Sequence, residues 1–121
     1  MAKDTDEQRA VRGKAMSEGY KSAARVPLRT AEMCVETTAL CIKAANLGNV
    51  AVMSDAGVGA LMALAGTQGA IYNVRINLPN TKDETFNKEM SATLDKLLAT
   101  AKANCEEVQK AVESSLKAAG A

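Results

Sequence analysis

Between Asp55 and Arg75 the sequence carries no charged residue, and the run is rich in Gly and Ala. It ends on a sudden polar cluster, Asn73-Val-Arg75-Ile-Asn77. Few structures tolerate such a segment. Ala56–Val74 is roughly as long as a bilayer-spanning helix, but Gly57, Gly59, Gly66, Gly69, Thr67 and Gln68 dilute the Leu/Ile/Phe content that insertion demands. Gly57-x-Gly59 begins a dinucleotide-binding fingerprint, yet Met62 stands at the third glycine position and no strand precedes it. The remaining reading is a central helix buried on all sides. Each helical Gly costs up to about 1 kcal/mol relative to Ala, so several of them require a reason. At about 100° per residue Asp55, Gly59, Met62, Gly66, Asn73 and Asn77 share one face. A small-residue stripe there admits a close neighbouring backbone or a flat ligand, and both readings stand at this level.

The flanking sequence completes an all-α chain, an antiparallel bundle of about four helices around this Gly/Ala-rich central one, in a single domain over 1–121. Thr5-Asp-Glu-Gln8 is a capping box opening a helix from about Asp6 to Arg25. Pro27 opens a second helix, where its missing N–H costs nothing. Leu28, Ala31, Val35, Thr38, Ile42 and Ala45 form its core face, and Gly48 is its left-handed terminator. Ser54 caps the central helix with Asp55 in its first turn, and Pro79 and Asn80 end it near Asn77. Thr81-x-x-Glu84 is a second capping box, opening a helix to about Ala118. Its apolar positions, Phe86, Met90, Leu94, Leu97, Ala101, Cys105, Val108, Val112 and Leu116, step by four, four and three, the rhythm of a nearly straight helix.

Composition narrows the function classes. With 15 basic and 14 acidic residues and no basic block, nothing points to nucleic acid. Histidine is absent, and the three cysteines form no CxxC pair, so the commonest zinc sites are excluded and no metal is expected. Cys34 and Cys41, about 10 Å apart on one helix face, are too far for a disulfide. They read as small apolar residues in a reducing compartment. The stretch MAKDTDEQR lacks the apolar segment of a signal peptide. A cytoplasmic protein is expected, with no membrane partner.

Asn73, Arg75 and Asn77 need partners at the end of a buried helix, because an unsatisfied polar group costs ~1–3 kcal/mol. Asn77 as a C-terminal cap and Arg75 paired with a helix end are the structural accounts. Arg75 lies opposite the two asparagines, which suggests contacts with more than one neighbour, and an Arg serving a site would be held without a protein partner. Asp55 lies about 27 Å from Asn73 along the helix, so the two meet only across an antiparallel dimer. A chain of this size also struggles to cover an uncharged helix of about five turns, so a homodimer or larger assembly is expected.

"SDAGV", the small-residue helix after it, "NVRINL" with the Lys-Asp-Glu that follows, "KDTDEQRAVRGKAM" and "VPLRTAE" together resemble the cyclodeaminase/cyclohydrolase family. The resemblance runs from about Lys3 to Leu98. It implies an all-helical dimer that acts on a tetrahydrofolate derivative, either expelling ammonia as a one-carbon bridge closes or adding water to a methenyl bridge. Members carry a Gly-rich "PGGGS"-like turn further toward the N-terminus, so this chain is similar to the C-terminal part of the family domain. An intact enzyme is expected to need the missing stretch, and the alternative is a non-catalytic helical assembly module. Without histidine, proton transfer falls to carboxylates, lysines or tyrosines. On this footing Asp55 is the candidate catalytic residue, although a helix-start carboxylate accounts for it equally. Asn73 and Asn77 are candidates for a pterin edge, and Arg75 for a folate carboxylate.

Overall fold

The computed structural model describes residues 5–121. It contains three long helices, α1 (Asp6–Asn46), α2 (Val50–Arg75) and α3 (Glu84–Ala118), with a short 3₁₀ turn at Leu78–Asn80. Each long helix packs against the other two. The fold is all-α, with three helices in place of the four expected.

The difference arises at Pro27, which lies inside α1 rather than opening a new helix. Its missing N–H leaves the carbonyl of Ala23 without its helical partner, an interruption that costs ~3 kcal/mol or more in a helix interior. The helix continues because the residues on either side are committed to packing: Ala24 and Ala31 are fully buried. Tertiary burial, not propensity, holds such a helix. The start of α1 is as expected, with Thr5 and Gln8 forming a reciprocal capping box.

Two further boundaries shift. α2 is capped by Asn49, whose side chain accepts from the Ala51 N–H at 3.0 Å, not by Ser54. Gly48 takes the left-handed conformation at φ 76° and reverses the chain at once, so the cap falls on the next residue. Asp55 therefore lies well inside α2. α3 is capped by Asp83, accepting from the Phe86 N–H at 3.0 Å, not by Thr81. Lys82 at φ 55° breaks the helical path between them. The rhythm of α3 is as expected: Met90, Leu94, Ala101, Cys105, Val108 and Val112 are buried.

α2 is not buried on all sides. Its buried residues include Met53, Ala56, Gly57, Ala60, Ala63, Thr67, Ala70, Ile71 and Val74, whereas Val58, Met62, Tyr72 and Ile76 are each at least 60% exposed. The small residues explain the buried half. A Cβ on Gly66 would meet the Cys34 Sγ at 2.8 Å, and one on Gly59 would meet the Cys41 Sγ at 3.2 Å. On the α3 side, a Cβ on Gly57 would meet Val112 Cγ2 at 3.1 Å. The stripe is a helix contact, closed by cysteine side chains rather than by a neighbouring backbone. Two core clusters result. One is built on Ala24, Ala31, Ile71, Val74 and Leu94, and the other on Ala45, Ala60, Cys105 and Val108.

Gly66→Leu is expected to overpack this contact and cost roughly 1–3 kcal/mol in denaturant melts. Gly13→Ala meets nothing within 4 Å and is expected to stabilise by about 0.5–1 kcal/mol through helix propensity. In a Cys34→Ala background Gly66→Ala should gain stability too, since the obstructing sulfur is gone; a loss there would refute the assigned contact.

Candidate functional site

The polar cluster at the end of α2 stands on a hydrogen-bonded hub. Leu78 and Thr81 are buried in the turn between α2 and α3. The Thr81 hydroxyl lies 3.0 Å from the Leu78 carbonyl and 2.6 Å from Asn87 Oδ1, while Asn87 Nδ2 donates to that carbonyl at 2.8 Å. Ser17 of α1 donates its hydroxyl to the Thr81 carbonyl. One helical turn further along α1, Lys21 Nζ pairs with Asp83 at 2.8 Å and stands 5.3 Å from the centre of the Phe86 ring. The hub thus ties α1, the turn and the start of α3 together. The Asp83 hydrogen bond raises the Lys21 pKa, and the Lys21 hydrogen bond, aided by the Phe86 N–H, lowers that of Asp83.

On this base Asn77 donates its amide to the Asn73 carbonyl at 2.9 Å, so one of the two asparagines satisfies the end of α2, as a cap would. Asn73 is exposed. Arg75 points the other way, to α3, where Nη2 pairs with Asp95 Oδ1 at 2.8 Å and Nη1 lies 3.4 Å from Ser91 Oγ. The expectation of an unpartnered Arg75 is therefore corrected: α3 passes close enough to offer it a carboxylate. The pair remains open to water, with side chains 40% and 74% exposed, so a competing carboxylate can reach the guanidinium. Asp55 is exposed and lies about five turns earlier on α2, too far to join the cluster within one chain.

Asp95 and Ser91 were not singled out by sequence. They are polar positions on the outward side of α3 with nothing local to mark them. Arg12 is a further charged residue without a local signal. Its Nη1 is buried and has no hydrogen-bond partner among the described residues.

Near Asp55, between α2 and the C-terminal half of α3, runs a mainly apolar groove of about 500 Å³, within the range of small-molecule sites. Ser54, Val58 and Leu61 line one wall, and Gln109, Val112 and Glu113 the other. Among the described residues no cluster of three or more His, Cys, Asp or Glu side chains is placed to hold a metal ion. Val50–Asn80 is long and apolar enough to cross a membrane by length and composition, but half of α2 is occupied by contacts with α1 and α3.

The family described as Formiminotransferase-cyclodeaminase matches residues 1–96. The chain belongs to this family. It is 39% identical over 114 residues to a methenyltetrahydrofolate cyclohydrolase of Methylorubrum extorquens, covering 94% of this chain and 55% of that protein. It is 39% identical over 102 residues to a formimidoyltransferase-cyclodeaminase of Gallus gallus, and 32% identical over 114 residues to one of Mus musculus. Those matches cover 84% and 94% of this chain but 19% and 21% of the relatives. The chain thus spans about half the length of the bacterial relative and about a fifth of the animal ones.

The Lys21–Asp83 pair gives the hub a defined pH window. Asp83, with its folded pKa lowered, contributes stability that is present above the ordinary carboxylate value of about 4 and is lost as pH falls through the lowered one. Lys21, with its folded pKa raised, contributes stability that is present below its ordinary value of about 10.4 and is lost as pH rises through the raised one. Asp83→Asn keeps the cap and loses the ion pair. Thermal melts of this variant should be lower than the parent's at neutral pH and converge with the parent's at strongly acidic pH. A constant gap from neutral to strongly acidic pH would contradict the assignment.

Proposed function

We propose that the chain handles a tetrahydrofolate derivative in one-carbon chemistry, as a methenyltetrahydrofolate cyclohydrolase or a formiminotetrahydrofolate cyclodeaminase. The observation that carries this is the 39% identity to a methenyltetrahydrofolate cyclohydrolase across 94% of the chain. The exposed end of α2 offers the complementary chemistry. Asn73 presents a free amide edge, Asn77 stands beside it, and Arg75 is a guanidinium held in place by an open ion pair. A pterin ring carries amide-like donors and acceptors that asparagine can match. The glutamate tail of a folate carries carboxylates that Arg binds through two parallel bonds.

In this reading Asp55 is the acid–base group. Adding water to a cationic methenyl bridge requires a proton to leave the attacking oxygen, and an ionised carboxylate both accepts that proton and stabilises the cation. Expelling ammonia requires a proton on the leaving nitrogen, which the protonated carboxyl returns. The reaction belongs to an assembly of chains, because Asp55 and Asn73 lie about 27 Å apart in one copy.

Folate titrations test the reading. Arg75→Ala should leave stability within about 1 kcal/mol, since exposed ion pairs contribute little. It should lower affinity for a reduced folate by roughly 1.5–3 kcal/mol, the worth of a hydrogen bond to a charged group. Unchanged affinity in calorimetry would remove Arg75 from the site, and a parent chain that binds no reduced folate would overturn the function.

A further inference from the structure

The chain has three aromatic residues, two Tyr and one Phe, and only one of them leaves its ring in water. Phe86 packs against the core cluster built on Ile71 and Leu94, with the Lys21 ammonium over its ring. Tyr20 is half-buried. Tyr72 is 64% exposed and belongs to neither core cluster. A ring so placed forgoes the burial through which aromatic side chains stabilise a fold. Its surroundings suggest another use.

Tyr72 stands one residue before Asn73 and one turn before Ile76, which is 73% exposed. At about 100° per residue, Tyr72 and Ile76 form an outward ridge with a different chemistry on each side. On the α1 side are Asn73, seven residues beyond the Gly66 that touches Cys34, and Asn77. On the α3 side is Arg75, paired with Asp95. From Tyr72 to Asn77 the chain rises only about 7.5 Å, so amide, aromatic and guanidinium groups lie within reach of one small molecule. Asn77 uses its amide N–H on the Asn73 carbonyl and keeps its side-chain oxygen as an acceptor. Arg75 bonds Asp95 through Nη2 and Ser91 through Nη1, and its Nε–H lies outside both contacts. The turn beneath is held by Ser17 and Asn87, so little ordering remains to oppose binding here.

The sequence of chemistries across this surface is amide, aromatic ring, cation. A folate presents their complements in the same order: the amide-like pterin edge, the p-aminobenzoyl ring and the glutamate carboxylates. We infer that Tyr72 is a ligand-binding residue whose ring stacks on the p-aminobenzoyl ring of the folate, with Ile76 beside it, between the pterin edge at Asn73 and the glutamate at Arg75. Two flat rings meet favourably in an offset stack. The contact also supplies what the polar groups do not. Hydrogen bonds from exposed Asn and Arg replace bonds to water and gain little net, whereas the stacked rings remove apolar surface from water on both partners. The polar groups give direction, and the ring adds affinity. Tyr72 thereby separates a whole folate from a free pterin or free glutamate, neither of which has the middle ring. This contact rests on the folate reading above.

NMR and calorimetry test it. The chain has no Trp and two Tyr, so in a Tyr20→Phe background every tyrosine ring resonance belongs to Tyr72. Adding 5-formyltetrahydrofolate or p-aminobenzoylglutamate should shift those resonances through the ring current of the stacked ring, and glutamate alone should not. Tyr72→Ala should weaken binding of 5-formyltetrahydrofolate about tenfold, whereas Tyr72→Phe, which keeps the ring, should stay within about twofold. Val58→Ala, on the same outward side of α2 but far from the cluster, should bind as the parent does. Unchanged affinity in Tyr72→Ala, an equal loss in Tyr72→Phe, or Tyr72 resonances unmoved at saturation would overturn the contact and leave the proposed function standing. A parent that binds p-aminobenzoylglutamate as tightly as 5-formyltetrahydrofolate would overturn the tetrahydrofolate reading and leave the contact standing. A parent that binds neither would overturn both.

Discussion

Everything in this fold follows from how closely α2 can lie against α1. At Gly59 and Gly66 there is no Cβ, and the space it would fill is taken by the sulfurs of Cys41 and Cys34. Two contacts seven residues apart on each helix fix the antiparallel register and the rotation of both helices about their axes. With the rotation fixed, the alanines that follow each contact point inward, and α3 lays its longer Leu, Met and Val side chains over them. A core with almost no aromatic rings is closed because small residues draw the backbones together before larger aliphatic ones fill what remains.

The same register determines what the end of α2 looks like. α2 arrives beside the N-terminal part of α1, and the turn that follows is gripped by Ser17 from one side and Asn87 from the other. A buried hydroxyl and amide that satisfy one another cost little, whereas either alone would be expensive. The hub is therefore rigid beneath a surface that stays open. Asn73 and Arg75 are displayed from a fixed base, which is what a binding surface requires if ordering its side chains is not to consume the affinity.

What could be read from sequence was local or periodic. The Thr5 capping box, the left-handed Gly48 and the stepping of α3 from Met90 to Val112 each depend on a few neighbouring residues, and each is found. The boundaries that moved are those where a distant contact outweighs a local preference. Pro27 is a helix opener by its own chemistry but lies between two fully buried alanines. Thr81 is a good cap by type, but its hydroxyl is engaged with Leu78 and Asn87, and Asp83 takes the role. The glycines of α2 mark a close approach, but the expectation of a helix buried on all sides fails, because the approach occupies only the inner side and Val58, Met62, Tyr72 and Ile76 face outward. Of the candidate site, the grouping of Asn73 with Asn77 was visible; the partner of Arg75 was not, because Asp95 is brought to it only by the packing of α3.

The absence of charge from Ala56 to Val74 then has two causes, one for each half of the helix. On the inner half, contact with α1 and α3 excludes charge because an ion placed there would be desolvated without a partner. The outer half has no such reason in a single chain. The outward sides of α1 and α3 show what water-facing helix surface looks like here, with Arg25, Arg29, Lys43, Glu89, Lys96 and Lys102 all exposed. α2 carries Val58, Met62 and Tyr72 in their place. A surface that is uncharged without being buried has its composition set by something other than water, and the charges return only at Asp55, more than a turn inside the start of α2, and at Arg75, its last residue.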